Sequence, residues 1–281
     1  MNISDLFTRV DKLSVDQARD LMDKKGENGP LLLDVREPSE YENGHIPGAR
    51  FIPLSNLLNS VDTLDQSGSI ITYCKRGPRS RSAAALLKRE GFDSVSYMDG
   101  GIDAWNGLVA SGEYEAGLLL LEGRETPDEL IALAWSLEDG TGIFYSRMKE
   151  MVHNQEARDI FESLIIAEDR HKTALLEAYR HAAGEDPAVS AIEEKSLKGY
   201  MEGGVSIEDT VHAIQKGSGN LADILEISMQ IEANSLDLYL KMRAEIDNET
   251  VKKVMSHLIE EEKAHLSRLG KLLDSTNTIN E

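Results

Sequence analysis

The sequence predicts two domains, an α/β domain with a parallel sheet flanked by helices and then an all-α four-helix bundle. A length of 281 residues is enough for two domains of ordinary size. In residues 1–110, apolar runs of strand length alternate with helical patterns, which favours a parallel sheet covered on both faces. In residues 126–275, apolar residues recur at three- and four-residue spacing, and the pattern repeats at an offset of 94 residues. We therefore expect a linker at 111–125 and a crossover between two helical hairpins at 184–219.

The elements of the α/β domain follow from caps, turns and apolar runs. Ser14 and Gln17 have the spacing of a capping box and begin a helix that ends near Gly26. Because sites in parallel sheets form at the carboxyl ends of strands, Asp34 and Cys74 are candidates for one site. The predicted strands are Leu31–Val35, Ala49–Pro53, Ser69–Tyr73 and Ser94–Met98, with a short helix at Leu54–Leu58 and a longer one at Ser80–Arg89.

The only cysteine, Cys74, lies where a predicted strand turns into a predicted helix. The turn contains a glycine, so its backbone N–H groups can point toward the sulfur, and the helix N-terminus adds partial positive charge. Arg76, Arg79 and Arg81 also favour an anion there. Each effect lowers the pKa of the thiol, which predicts that Cys74 is a thiolate nucleophile. The alternative for a single cysteine is a small buried apolar side chain.

Three motifs in residues 1–110 resemble those of rhodanese-type sulfurtransferases and occur in that family's order. The cysteine loop has the pattern Cys-x-x-Gly-x-Arg-Ser, with Asp34–Ala49 before it and Asp99–Trp105 after it. The resemblance implies a rhodanese-like fold in which Cys74 carries a persulfide and passes the outer sulfur from thiosulfate, or another sulfane-sulfur donor, to a thiophilic acceptor. It implies catalytic roles for Arg76 and Arg79 and a persulfide loop of Lys75, Gly77, Pro78 and Ser80.

The length of this loop and two neighbouring residues refine that interpretation. Four residues separate Cys74 from Arg79, one fewer than in related phosphatases, and the shorter loop fits sulfur better than phosphate. Asp34 and Arg36 are expected to support the site by pinning neighbouring loops with hydrogen bonds. His45 falls in a predicted turn, where either a structural or a chemical role is open.

The helical repeat places acids and imidazoles at equivalent positions. Each predicted first helix carries one glutamate among apolar residues, and each second helix carries a Glu-x-x-His pair, whose spacing puts both side chains on one face. Buried carboxylates repel one another without a metal, and oxygen with imidazole ligands suits iron or manganese. The alternative for one such pair is a solvated helix face. The set comprises Glu138, Glu168 and His171 in the first hairpin and Glu232, Glu262 and His265 in the second.

Through the positions of these six residues, residues 126–274 resemble the rubrerythrin branch of the ferritin-like family. The resemblance implies a ferritin-like bundle that holds di-iron, or alternatively manganese or zinc, and an oxidoreductase acting on peroxide or on oxygen and iron. The chain lacks the four cysteines of that family's rubredoxin-like centre, so electrons would come from an external donor. Thr141 and Ser235 stand where the family carries an extra glutamate.

Four further residues of the repeat are given expected roles. Tyr145 and Tyr239 lie two turns after the two single glutamates, and they are expected to face the same interior, either as hydrogen-bond donors or as core residues. Glu260 and Glu261 are expected to be surface charges.

Composition limits the partners and the compartment. The net charge is −20, and residues 1–110 carry 13 Lys/Arg against 16 Asp/Glu, so most of the negative charge lies in the second half. That acidity opposes nucleic-acid binding. One cysteine excludes a disulfide framework and suits a reducing cytosol. The sequence shows neither a signal-peptide pattern nor a run of about 20 apolar residues, so we expect a cytoplasmic protein without a membrane span. Because ferritin-like bundles often associate, the resemblance also implies a homodimer.

Three hypotheses on function follow from the sequence. The first is a sulfurtransferase fused to a di-metal oxidoreductase. The second is an iron-binding, ferroxidase-like protein in which the rhodanese-like domain senses sulfide or docks a partner. The third couples both halves in protection against sulfur and oxygen stress.

Overall fold

The structure of the chain is a computed structural model, and it describes residues 10–25, 29–112, 126–183, 198–217, 219–245 and 248–279. The chain divides into two compact units, Met1–Tyr114 and Glu115–Glu281. We call them the sheet unit and the helical unit. The predicted linker at 111–125 lies outside the described residues except for Ser111 and Gly112.

The sheet unit is built on a five-stranded parallel sheet, as the alternation of apolar runs and helical patterns predicts. The strand order is β1-β5-β4-β2-β3, and every neighbouring pair is parallel. The strands are β1 (Asp11–Leu13), β2 (Leu31–Asp34), β3 (Arg50–Phe51), β4 (Ile70–Tyr73) and β5 (Val95–Met98).

Helices connect these strands and cover the sheet. They are α1 (Val15–Lys25), α2 (Pro38–Glu42) and α3 (Pro78–Arg89), with 3₁₀ turns at Leu54–Asn59, Val61–Thr63 and Gly101–Ala104. The short helix predicted at Leu54–Leu58 is therefore a 3₁₀ turn. Successive strand side chains alternate between two apolar clusters, so that Leu33 and Ile70 belong to one and Leu32 and Ile71 to the other.

The register of the central strands brings the predicted site residues to one edge of the sheet. Asp34, the last residue of β2, pairs with Tyr73, the last residue of β4. Cys74 follows Tyr73 directly, and α3 begins four residues later at Pro78. The strand–turn–helix setting predicted for Cys74 is confirmed.

In its described residues, the helical unit contains four long helices and one shorter helix. The long helices are α4 (Pro127–Met151), α5 (Gln155–Ala183), α7 (Leu221–Glu245) and α8 (Glu249–Ile279), and the shorter one is α6 (Ile207–Lys216). The capping box at the start of α4 is formed by Thr126 and Glu129. Within this unit α4 packs along α5, α7 packs along α8, and α5 also contacts α8. Their apolar faces enclose a core that includes Phe144, Phe161 and Leu225.

The described part of the crossover is not all helical. A helical piece is predicted around residues 191–201; residues 191–197 lie outside the described part, and Tyr200–Met201 form strand β6, so the prediction is wrong there. Strand β6 pairs antiparallel with β7 (Val205–Ser206). The backbone at Tyr200 packs closely against Gly140 of α4. The second predicted piece is helix α6.

Across the described parts of the chain, the helices are each too short or too polar to cross a membrane.

Candidate active site and candidate metal centre

The loop after β4 surrounds the sulfur of Cys74 with hydrogen-bond donors. The backbone N–H of Gly77 donates to Sγ at 3.1 Å. Gly77 has φ +117°, a conformation that side chains other than hydrogen rarely adopt, and it caps the N-terminus of α3. The Cys74 side chain is 1% exposed. The sulfur therefore lies at the base of a ring of amides rather than on the surface.

These donors decide the ionisation of the thiol. Burial opposes ionisation of Cys74, but hydrogen bonds from the Ser80 hydroxyl and from the amides of Ser80, Gly77 and Arg76 outweigh it, so the pKa lies below the ordinary cysteine value. The Ser80 hydroxyl also lies 2.8 Å from the Gly77 carbonyl oxygen, so its single proton serves one acceptor at a time. The site favours a thiolate, the nucleophilic form of sulfur.

The arginines of the loop are engaged in ion pairs. Arg79 donates two hydrogen bonds to Glu40 of α2, at 2.6 and 2.8 Å. This pairing, opposed by burial, lowers the pKa of Glu40 to about 2. The side chain of Arg76, at the exposed tip of the loop, donates to Asp103 at 2.8 Å. The sequence placed both arginines around the sulfur, and the structure places their guanidinium groups against carboxylates of neighbouring segments.

The segment Asp99–Trp105 clamps the loop from the other side. The amides of Ile102 and Asp103 donate to the carbonyl oxygens of Cys74 and Lys75 at 2.9 and 3.0 Å. A Cβ at Gly101 would lie 2.1 Å from the Cys74 carbonyl oxygen, so only glycine allows this approach. The half-buried Trp105 packs against the apolar cluster beneath.

The pair Asp34 and Arg36 joins the sheet edge to the loop after α2. Both side chains are buried, and Arg36 donates to Asp34 at 2.6 Å and to the carbonyl oxygen of Gly44 at 2.7 Å. His45 is also buried, with its ring 3.7 Å from that of Tyr41, and its backbone pairs with Ala110. These contacts hold the frame around the cysteine loop.

A groove of about 530 Å³ lies beside the cysteine loop. Loop residues Arg76, Gly77 and Pro78 line it, and so do Arg81 and Arg89 of α3. Asp99 is the one acidic residue among the described residues that line it, so three arginines face one carboxylate and the groove is mainly basic.

In the helical unit, the predicted acids and imidazoles come together in the interior. All six side chains are at most 2% exposed: Glu138, Glu168, His171, Glu232, Glu262 and His265. Atoms of Glu138, His171 and Glu262 lie within 4.8 Å of one another, and so do atoms of Glu168, Glu232 and His265. The two trios use equivalent positions of the repeat, so the site has two matching halves.

Hydrogen bonds join the cluster both within and between the two hairpins. Within each hairpin, Nδ1 of His171 lies 2.9 Å from Glu138, and Nδ1 of His265 lies 3.2 Å from Glu232. Between the hairpins, Tyr239 donates to Glu138 at 2.7 Å, and Tyr145 donates to Glu232. Each tyrosine thus holds the single glutamate of the other hairpin. Both tyrosines are fully buried, so they are core residues and hydrogen-bond donors at once.

One further carboxylate reaches the cluster, and the sequence did not predict it. Glu202 lies in the 3₁₀ turn Glu202–Gly204 after β6 and is 0% exposed. It lies within 4.8 Å of ligand atoms of Glu138 and Glu168, and equally of Glu232 and Glu262. Its backbone N–H donates to Thr141 at 3.1 Å, and Ser235 donates to its Oε1 at 2.5 Å. The two residues that replace the expected extra glutamate therefore hold a glutamate from elsewhere.

The charges in this cluster are poorly compensated. Burial raises the pKa of Glu168, Glu202 and Glu262 well above the ordinary value, and the neighbouring carboxylates add to the shift. Burial also acts on Glu138 and Glu232, but the adjacent histidines and hydrogen bonds bring the pKa of both below the ordinary value.

Several carboxylate oxygens of the cluster lack a hydrogen-bond partner. Within the described residues, these are Glu168 Oε1, Glu202 Oε2 and both oxygens of Glu262. Nε2 of both histidines also makes no hydrogen bond there, but that of His171 lies on the side of Glu261. Buried polar atoms normally have partners. Carboxylate and imidazole donors suit iron, manganese or zinc, so the residues present fit a pair of such ions.

The two glutamates that the sequence assigns to the surface, Glu260 and Glu261, differ in their relation to this cluster. Glu260 is exposed and pairs with Lys263 at 2.7 Å. The Glu261 side chain is 38% exposed, yet its carboxylate lies 3.9 Å from Nε2 of His171. Glu261 therefore borders the outer side of the two histidine rings.

The signal that could have located Glu202 is Gly140, a glycine in the middle of a long helix. A Cβ at this position would lie 2.0 Å from the Tyr200 carbonyl oxygen. The missing side chain lets the crossover approach α4 one residue before Thr141. A helical glycine costs stability unless something packs against it, so it indicates a close contact.

Replacing Gly140 by alanine should therefore destabilise the helical unit by about 1–3 kcal/mol, because the new methyl group forces β6 away from α4. Gly142→Ala is the matched control, since its Cβ would meet only the Glu168 side chain, with Cβ at 3.6 Å and Cγ at 3.9 Å. That variant should be as stable as the wild type or gain about 0.5–1 kcal/mol of helix propensity. Urea unfolding followed by circular dichroism measures both. Equal stability of the two variants would contradict the close approach.

Comparison with known proteins concerns the sheet unit. Residues 14–108 match the profile of the rhodanese-like domain. The thiosulfate sulfurtransferase GlpE of Pseudomonas paraeruginosa (strain DSM 24068 / PA7) is 33% identical over 117 residues, which are 40% of this chain and 100% of that protein. The uncharacterized protein YqhL of Bacillus subtilis (strain 168) is 40% identical over 78 residues, which are 28% of this chain and 62% of that protein.

A solved structure is also similar. The BH2092 protein from Bacillus halodurans is 32% identical, with a TM-score of 0.33, and the match covers 36% of this chain and 77% of that one.

Proposed function

The chain belongs to the rhodanese-like family through residues 14–108, and from this premise we propose that it is a sulfurtransferase that carries sulfur on Cys74. The observation that carries the proposal is the ring of donors around Sγ, which lowers the pKa of the thiol despite its burial. A thiosulfate sulfurtransferase, similar over its whole length, supports thiosulfate as the donor.

The proposed reaction has two displacement steps on sulfur. The Cys74 thiolate attacks the outer sulfur of thiosulfate, the S–S bond of thiosulfate breaks, and sulfite leaves with the bonding electron pair. The outer sulfur of the resulting persulfide is then attacked by a thiophilic acceptor such as cyanide. The S–S bond of the persulfide breaks, thiocyanate leaves, and the thiolate is restored. No external oxidant or reductant is consumed.

The surrounding residues would serve the two anionic states of this cycle. The amides of Arg76, Gly77 and Ser80 that stabilise the thiolate would also stabilise the negative charge of the persulfide. The basic groove beside the loop, with Arg76, Arg81 and Arg89, would attract the dianionic donor. The ion pair of Arg79 with Glu40 would keep the loop against α2.

The test is the formation of thiocyanate from thiosulfate and cyanide by the full chain. We also expect a gain of one sulfur atom in the intact mass after thiosulfate alone. Failure to form either product with thiosulfate or another sulfane-sulfur donor would remove the proposal.

Replacing Ser80 by alanine should raise the pKa of Cys74 and move the rate–pH profile of persulfide formation to higher pH by about one unit. The hydroxyl is the strongest side-chain donor to the thiolate, and a hydrogen bond to a charged group is worth about 1.5–3 kcal/mol. Ser82→Ala is the matched control, because the exposed Ser82 hydroxyl donates to the Pro78 carbonyl oxygen. Identical profiles for both variants would show that Ser80 does not tune the thiol.

A second activity is favoured by the buried carboxylate cluster. We propose that the helical unit is a ferritin-like four-helix bundle with a di-metal centre. The residues that would hold two ions are Glu138, Glu168, His171, Glu232, Glu262 and His265. Bound iron or manganese would supply redox chemistry toward peroxide, oxygen or ferrous iron.

The protein's own groups would prepare this centre. Tyr145 and Tyr239 would fix the orientation of Glu232 and Glu138, and complete burial would exclude bulk water. The chain has one cysteine, so an external donor would supply electrons. Elemental analysis of the purified full chain tests the centre, with two iron, manganese or zinc ions per chain expected. Protein that takes up none of these metals would contradict it.

The alternative is an iron-binding, ferroxidase-like protein in which the sheet unit senses sulfide or docks a partner. It predicts uptake and oxidation of ferrous iron without catalytic turnover at Cys74. For either function, we propose a reducing cytoplasmic compartment, in which the thiol stays free.

A further inference from the structure

Glu202 reaches the carboxylate cluster from the crossover rather than from one of the four long helices. Its side chain is 0% exposed, although it follows a two-residue strand in a connecting segment. Oε1 accepts a hydrogen bond from Ser235, while Oε2 has no hydrogen-bond partner within the described part of the chain. A buried carboxylate with one vacant oxygen costs several kcal/mol unless a cation or proton compensates it.

The residues that hold Glu202 occupy equivalent positions in the two hairpins. Thr141 lies three residues after Glu138, and Ser235 lies three residues after Glu232. One accepts the Glu202 backbone N–H and the other donates to its carboxylate. Glu202 is therefore seated between the matching halves of the cluster, within 4.8 Å of ligand atoms of each.

A purely structural role explains this arrangement poorly. Glu202 faces the carboxylates of Glu138 and Glu232, which repel it. A glutamine of the same size would accept the same hydrogen bond from Ser235 without that repulsion. The charge becomes favourable only when positive charge sits among the carboxylates.

We propose that Glu202 is a fifth carboxylate ligand of the metal centre, so that metal binding fixes segment 198–206 against α4. This inference rests on the proposed di-metal function of the helical unit. The same segment that carries Glu202 also contacts α4, since the Tyr200 backbone lies against Gly140 and the Glu202 N–H donates to Thr141.

The experiment compares Glu202→Gln with Glu208→Gln in the full chain, using Mn²⁺ as the probe. Glu208 belongs to the same connection but is exposed and pairs with Arg147, so it is the matched control. The wild type and Glu208→Gln should bind two Mn²⁺ per chain. Glu202→Gln should bind at least about tenfold more weakly or lose one ion, since even outer partners of ligands contribute about 10–100-fold. Mn²⁺ should slow amide hydrogen exchange in segment 198–206 of the wild type but not of Glu202→Gln.

The melting temperature without metal separates a ligand from a structural residue. Metal-free Glu202→Gln should melt at or above the wild type, because it removes a buried carboxyl whose ionisation is opposed by burial and by Glu138 and Glu232. If it melts lower, Ser235→Ala decides, since it keeps the carboxylate and removes only its hydrogen-bond donor. Weaker Mn²⁺ binding by Ser235→Ala would then support the ligand role, and unchanged binding would overturn it.

The outcomes also separate this inference from the proposed function beneath it. A wild type that binds no Mn²⁺ and no iron would overturn both. A wild type that binds two ions, with Glu202→Gln equal in affinity and in exchange protection, would overturn the role of Glu202 alone.

Discussion

Replacing Cys74 by serine should reduce the transfer of sulfur from thiosulfate to cyanide by more than about 10³-fold, because the serine hydroxyl cannot replace a thiolate as the nucleophile on sulfur. Cys74 is the only cysteine, so no second thiol can take over the transfer. Serine is close in size and can accept the Gly77 N–H bond that Sγ accepts at 3.1 Å, so the loop should keep its conformation. The rate of thiocyanate formation measures the loss.

Two controls separate chemistry from folding in this experiment. Ser60→Ala removes a hydroxyl that donates to the Asn56 carbonyl oxygen and does not line the groove, so it should keep full activity. Metal uptake by the helical unit should be the same in Cys74→Ser and in the wild type, since the cluster residues belong to another compact unit. Turnover by Cys74→Ser within tenfold of the wild type would show that sulfur does not pass through this residue.

The sequence was sufficient to predict the cysteine loop because its determinants are local. An apolar run predicts β4, a glycine in the turn allows the backbone to curl, and an alanine- and leucine-rich segment predicts α3. The strand end, the loop and the helix N-terminus are contiguous, so the chain order alone places Cys74 among backbone amides. The parallel sheet is likewise predictable from the alternation of elements.

The pairing of charged side chains was not predictable in this way. Arg79 pairs with Glu40, which is 39 residues away, and Arg76 pairs with Asp103, 27 residues away. The sequence indicates that arginines lie near the sulfur, but it does not specify which carboxylates approach them. Those partners depend on how α2 and the 3₁₀ turn at Gly101–Ala104 pack around the loop.

In the carboxylate cluster, too, some members could be predicted from the sequence and one could not. Six of its members follow a helical period and an internal repeat, so their common face could be read directly. Glu202 lies in a non-periodic connection, where no pattern relates position to direction. The sequence hints at Glu202 only indirectly. Gly140 is a glycine inside a helix, and Thr141 and Ser235 are small polar residues three positions after the expected ligands Glu138 and Glu232.

The largest effect that we expect in the helical unit concerns how its stability depends on pH. Without metal the stability should fall as pH rises, and metal binding should reverse this dependence. Glu168, Glu202 and Glu262 have pKa values raised by burial and by neighbouring carboxylates. A carboxyl group whose pKa is raised in the folded protein stabilises the fold most at pH values below its ordinary pKa near 4.5. This stabilisation is lost as pH rises through the pKa of the folded protein. The metal-free protein should therefore become less stable as pH rises above about 4.5.

Metal binding requires these carboxylates without their protons, so loading should grow stronger with pH over the same window. At a free Mn²⁺ concentration about 1,000 times its dissociation constant, the gain in unfolding free energy is about 4 kcal/mol. The lowered pKa values of Glu138 and Glu232 act in the opposite sense, but their stabilisation is lost only as pH falls below about 4.5, so they do not cancel the effect.

The double variant Glu168→Gln/Glu262→Gln isolates the cause, because it removes two of the raised carboxyls and two proposed ligands together. Without metal it should lose less stability than the wild type as pH rises above about 4.5, and Mn²⁺ should no longer raise its melting temperature. Glu260→Gln, which alters an exposed partner of Lys263, should behave as the wild type in both measurements. If Mn²⁺ still stabilised the double variant, the ions would bind elsewhere. If the stability of the metal-free wild type did not fall with rising pH, groups other than metal would compensate the negative charge of the cluster.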